Sequence, residues 1–102
     1  MIDTRFRMVF TEAEMNRLVI TTDMYGSPYI TVDVHGMKCG QARRFINNII
    51  NITLSGFRMV VIHGYNNGTA IKDMLATDFS NERIVSKNAD SYNPGRTVLQ
   101  LS

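Results

Sequence analysis

A single cysteine, Cys39, is all the thiol chemistry that the 102 residues contain. One thiol excludes an internal disulfide and any multi-cysteine metal knot, and it suits a reducing compartment. Cys39 sits near an expected helix start but has no identifiable partner base, so it reads as a semi-buried structural thiol. The opening "MIDTRFRMVF" lacks the apolar core of a signal peptide, and no apolar run reaches membrane-spanning length. Repeats and low-complexity tracts are absent as well. These absences lead to the expectation of a cytoplasmic protein with no membrane partner. Strong charge of one sign is also missing, since the formal net charge is only +2. That balance admits an anionic partner such as nucleic acid without demanding one.

What is present suffices for one folded core. Apolar residues make up 44% of the chain and charged residues 20%, with both signs mixed, which argues against disorder. A chain of this length buries about two-thirds of its unfolded surface, so one domain is the natural reading. The first stretch differs from the rest. "RFRMVF" alternates Phe6, Met8 and Phe10 with Arg5, Arg7 and Val9, which predicts a strand with one apolar face. Thr11 and Glu14 have capping-box spacing, and "LVITT" reads as a strand. The turn signal "YGSP" marks a boundary there, with residues 1–28 as an N-terminal arm and 29–102 as the main unit. The arm carries too much apolar surface to stay solvated. It is expected to pack on the sheet or on a second copy, as an oligomerisation arm.

From Tyr29 onward the punctuation is regular. "YITVDVH" alternates Ile30, Val32 and Val34 with Thr31, Asp33 and His35, as a strand with one buried face would. "GQARRFINNIINITLSG" places Ala42, Phe45, Ile46, Ile49 and Ile50 at helical spacing, with Gly56 as its expected stop. "FRMVVIH" is nearly continuous in apolar residues, which predicts a central strand covered on both faces. "TAIKDMLATDF" predicts a shorter helix with Ala70, Ile71, Met74, Leu75 and Phe79 on one side. "RIVSKNA" and "RTVLQL" read as two final strands joined through "YNPG". The resulting order is βαβαββ, an α/β class fold with a two-layer sandwich.

Both histidines of the chain, His35 and His63, end an apolar strand and precede a glycine, in "VDVHG" and "VVIHG". They lie 28 residues apart, about one strand-helix-strand crossover. Such a crossover makes the strands parallel and brings both histidines to the carboxyl edge of the sheet. Open α/β sheets place their ligands at that edge. Asp33 is two residues before His35, so one carboxylate and two imidazoles are expected to meet there.

These residues also carry a family resemblance. "VDVHG" resembles the "LDLHG" motif of the Smr (small MutS-related) domain, and "VVIHGYNNG" is similar to its second motif, His-Gly-x-Gly-x-Gly. "TVLQL" is similar to the closing strand, and the likeness covers residues 29–102. The resemblance implies a fold akin to the C-terminal domain of a bacterial translation initiation factor. It also implies binding of DNA or RNA and, in several members, endonuclease activity. Asp33 and His35 match the first motif, and His63, Gly64 and Gly68 match the second. Asn66 stands in place of the middle glycine, and Tyr65 where a basic residue is common.

For phosphodiester cleavage, His35 or His63 would serve as general base, and Asp33 would orient an imidazole or hold a metal-bound water. Asp33, His35 and His63 are thus the candidate catalytic residues. They are too few and too widely spaced for a structural zinc site; the sequence assigns no definite cofactor, although a transient Mg²⁺ is compatible. Gly36, Lys38, Arg43, Arg44, Gly64, Tyr65, Asn66, Gly68 and Lys72 are the candidate nucleic-acid contacts. They lie beside helix starts expected near Gly40 and Thr69. Tyr65 offers a ring for stacking, and Asn66 is expected at positive φ. Tyr92 and Arg96, near the "NPG" turn, sit where a loop of such a fold could also approach a ligand. The arginines also fit a solvated helix face, and Asp33 and His35 a backbone-satisfied strand end. The other function classes consistent with this sequence are a non-catalytic RNA- or DNA-binding module and a protein-interaction domain.

Overall fold

A computed structural model describes residues 2–53, 56–64, 69–90 and 92–102. The elements are α1 (Ile2–Val9), α2 (Glu12–Met15), β1 (Leu18–Thr22), β2 (Pro28–Asp33), α3 (Cys39–Ile52), β3 (Phe57–Ile62), α4 (Ala70–Thr77), β4 (Ile84–Ala89) and β5 (Arg96–Leu101). From β2 onward they follow the expected βαβαββ order. The five strands form one sheet in the order β1-β2-β3-β5-β4. Only β2 and β3 are parallel, joined by the α3 crossover, and every other neighbouring pair is antiparallel. No described helix is long and apolar enough to cross a membrane.

The crossover helix follows its pattern. Ala42, Phe45, Ile46, Ile49 and Ile50 are all buried. They pack on Ile30, Val32 and Val34 at β2 and on Phe57, Met59 and Val61 of β3, in the same core. The helix ends at Ile52, short of Gly56, which corrects the expected stop. Thr53 adopts extended backbone, and its hydroxyl donates to the Ile49 carbonyl at 2.8 Å. Arg83 then donates to the carbonyls of Ile50 and Thr53, satisfying acceptors that a helix end leaves open. Gly56 answers a different need: a Cβ there would stand 3.2 Å from the Leu101 carbonyl oxygen.

The continuous apolar run of β3 predicts cover on both faces, and the structure corrects this. Every buried helical residue among those described, from α1, α3 and α4, belongs to one core on one side of the sheet. Val60 points away from that core yet is only 5% exposed. Its cross-strand neighbours Thr31 and Val98 shield it instead. Ala70 is exposed rather than buried in α4, whereas Ile71, Met74, Leu75 and Phe79 are buried as expected.

The expected strand at "RFRMVF" is the helix α1. A strand would bury Met8 along with Phe6 and Phe10, but Met8 is 83% exposed. The helical period puts Phe6 and Phe10, four residues apart, on one face. Phe10 meets Phe45 of α3 edge-on with ring centroids 5.3 Å apart, and Phe6 sits 5.5 Å from Phe10. Propensity and alternation are overruled here by a docking site for two rings. The Thr11–Glu14 capping box forms as expected and starts α2. β1 then pairs with β2 through a turn in which Asp23 accepts from the amides of Tyr25 and Ser27. The sheet and the core therefore both extend into residues 1–28.

Phe6→Ala should cost about 3–5 kcal/mol, the usual range for emptying a buried aromatic site. Urea unfolding followed by circular dichroism measures this. A midpoint equal to wild type would mean that α1 contributes nothing to the core.

Candidate functional site

The parallel pairing of β2 and β3 delivers both His-Gly turns to the same edge. Val34 donates its amide to the Ile62 carbonyl at 2.9 Å, so the two chains part just past this point. Both glycines have positive φ, +80° at Gly36 and +74° at Gly64. Other residues rarely adopt that conformation, which explains why glycine follows each histidine. The turns touch, since a Cβ on Gly64 would lie 3.7 Å from the His35 Cβ.

The two imidazoles nevertheless serve different surroundings. In the register, Asp33 lies opposite Ile62, so His63 is level with Val34, a core residue. Successive residues of a strand point to opposite faces, so His63 turns into the core side while Asp33 turns away from it. His63 is buried, 7% exposed. Its Nδ1 donates to the Gly64 carbonyl at 2.9 Å, and its Nε2 stands 2.8 Å from the Thr97 hydroxyl. Both ring nitrogens are engaged. His63 thus fastens the end of β3 to β5.

His35 is the reverse case. Its side chain is 66% exposed and that of Asp33 is 36% exposed. The Asp33 carboxylate accepts from the His35 backbone amide at 3.1 Å and, through the same oxygen, from the ring Nδ1. A proton held on Nδ1 leaves Nε2 with a lone pair directed away from Asp33. This is an oriented, accessible imidazole. The three expected catalytic residues therefore share an edge, but only Asp33 and His35 form a pair.

Among the expected contacts, Lys38 is the exposed N-cap residue of α3 and makes no capping bond. The first turn of α3 holds no acid, so its free amides and Lys38 together favour an anion. At α4 the N-terminal end differs, because Asp73 lies in its first turn and accepts from the Thr69 hydroxyl at 2.8 Å. Lys72 is half-buried beside that acid. Arg43 is engaged by Asp78, an ion pair that ties α3 to α4, while Arg44 is exposed. Tyr65, Asn66 and Gly68, with the φ expected for Asn66, lie outside the described residues. Cys39 is half-buried, with its sulfur 3.7 Å from the Ala70 carbonyl, as a structural thiol would be. Among the described residues, no group of three or more His, Cys, Asp or Glu is placed to hold a metal ion.

Two residues that hold this edge carry no motif. Arg17, just before β1, donates from Nη1 to the carbonyls of Asp33 and His35, both at 3.1 Å. The backbone of Arg17 also accepts from the Asp33 amide at 2.9 Å. Gly95 accepts from the amides of His63 and Gly64 at 2.9 and 3.1 Å. The β1–β2 register would have disclosed Arg17, which falls opposite Asp33 once the "YGSP" turn is set. Gly95 becomes visible only when β5 is placed beside β3.

No protein-family model and no curated protein sequence matches this chain. Among solved structures, it is similar to the Smr domain of MutS2 from Thermus thermophilus, at 24% sequence identity and a TM-score of 0.50. The likeness covers 71% of this chain and 96% of that domain. With its βαβαββ order and paired strand ends, the chain carries a domain with the fold of an Smr domain.

Proposed function

We propose that the protein binds DNA or RNA through the carboxyl edge of its sheet and cleaves the phosphodiester backbone there, as an Smr-type endonuclease. The observation that carries this reading is the exposed imidazole of His35, oriented by Asp33 beside the uncapped N-terminus of α3. In cleavage, Nε2 of His35 takes a proton from an attacking water, and Asp33 stabilises the imidazolium that forms. As the new P–O bond forms, the P–O bond to the leaving strand breaks, and its oxygen takes a proton from solvent. Lys38 and the first amides of α3 offset the charge that develops on the phosphate. Lys38, Arg44, Gly36 and Gly64 line the approach, with Tyr65, Asn66 and Gly68 following in the motif. Asp33 is the residue that would hold a transient Mg²⁺, which would supply positive charge for the phosphate. A cytoplasmic setting fits the reduced thiol.

A second reading, binding without cleavage, is favoured by His63. With both of its nitrogens engaged, the site offers one accessible imidazole rather than two.

Asp33→Asn and His35→Ala should each slow cleavage of labelled RNA or supercoiled DNA by about 100- to 10,000-fold, the usual range for a lost general base. Their melting temperatures should match wild type, because both side chains lie outside the core. Binding without cleavage by the wild type selects the second reading, and wild-type rates in both variants remove the pair from the mechanism.

His63→Leu should behave differently. It leaves the buried Thr97 hydroxyl and the Gly64 carbonyl without their ring partner, at a cost of about 1–3 kcal/mol in urea unfolding. Unchanged stability with abolished cleavage would make His63 the base instead.

A further inference from the structure

The helices cover one face of the sheet, and the Asp33–His35 pair belongs to the other. Along β2, Tyr29, Thr31 and Asp33 share the uncovered face. The register continues each of them across the sheet. Tyr29 lies opposite Arg58, Thr31 opposite Val60 and then Val98, and Asp33 opposite Ile62 and then Arg96. Arg58 and Arg96 are exposed, and no carboxylate pairs with either among the described residues. Arg58 Nε donates to the neutral side-chain amide oxygen of Gln100 at 3.4 Å. The nearest acid to Arg96 in the hairpin, Asp90, turns its Oδ1 to the Tyr92 amide. Tyr92 itself is 98% exposed.

We propose that this uncovered face, from Tyr29 and Arg58 across Val60 and Val98 to Arg96, is a track for single-stranded nucleic acid leading into the Asp33–His35 pair. The proposal rests on the nucleic-acid reading above and assigns the path of the strand and its single-stranded form. An open sheet face with a tyrosine ring and β-branched side chains offers surfaces to base faces, which a duplex hides within its stack. Two unpaired arginines on the same face supply contacts to phosphate. From Tyr29 to Asp33 the track runs about 13 Å along the strand. A second copy is the alternative occupant, which sedimentation tests.

The test is fluorescence anisotropy of the full chain with a short labelled oligouridylate over a range of salt concentrations. Wild type should bind the single strand in preference to a duplex of equal length. Arg58→Gln combined with Arg96→Gln should weaken binding at least tenfold in low salt. The slope of log affinity against log salt should fall by about 1.4, or 0.7 for each lost phosphate contact. Tyr29→Leu should weaken binding about tenfold with the slope unchanged, and Tyr29→Phe should retain affinity. Wild-type affinity and slope in the double arginine variant would overturn the track while leaving the proposed function at Lys38 and Arg44. Preference for the duplex would also overturn it, as would a dimer in sedimentation that Arg58→Gln abolishes. Failure of the wild type to bind any nucleic acid would remove this proposal and the proposed function together.

Discussion

The parallel pairing of β2 with β3 is the constraint on which the rest of the structure depends. It holds Asp33 opposite Ile62, and a shift of one residue would turn one strand's apolar side chains to the face opposite its partner's. With this register, Ile30 and Val32 meet the same helices as Met59 and Val61, and one core results. The same register places His63 level with Val34 and sends its ring inward to Thr97. Asp33 and His35 are left on the outer side. One backbone alignment thus decides both what packs and what remains available for chemistry.

An edge where strands end is also where backbone groups lose their ladder partners, so it needs support from outside the pair. That support comes from both flanks. Arg17 binds the carbonyls of Asp33 and His35, and Gly95 receives the amides of His63 and Gly64. The first contact depends on the β1–β2 hairpin and the second on the β4–β5 hairpin. The N-terminal residues therefore contribute twice, through Phe6 and Phe10 in the core and through Arg17 at the strand end. At the opposite edge Arg83 has a comparable role, donating to the Ser102 carbonyl at 3.0 and 2.9 Å as well as to the end of α3. Its guanidinium also lies over the Phe57 ring, 5.8 Å from the centroid.

Charge is divided in the same way as packing. The acids Asp73 and Asp78 lie on or just after α4, where they engage Thr69 and Arg43. The uncovered sheet face carries Arg58 and Arg96 together with Asp33, while Asp90 lies opposite Arg96 in the hairpin. A net charge of only +2 therefore conceals an uneven surface.

The elements from Tyr29 onward, their order and the meeting of the two His-Gly ends follow from local sequence signals. Strong periodicity in α3, alternation in β2 and a crossover-length spacing are local signals, and each survives in the structure. The glycines after His35 and His63 were equally legible, because positive φ is a local demand. That "RFRMVF" is a helix depends on long-range packing, since its alternation of residues suits a strand and the Phe45 ring lies far along the chain. Cover on one face of β3 was hidden as well, because Val60 is shielded by Thr31 and Val98 from other strands. The separation of His63 from the Asp33–His35 pair was likewise out of reach. Each strand reveals which of its own residues share a face, but the alignment between strands fixes which faces coincide, and that is a property of the packed sheet.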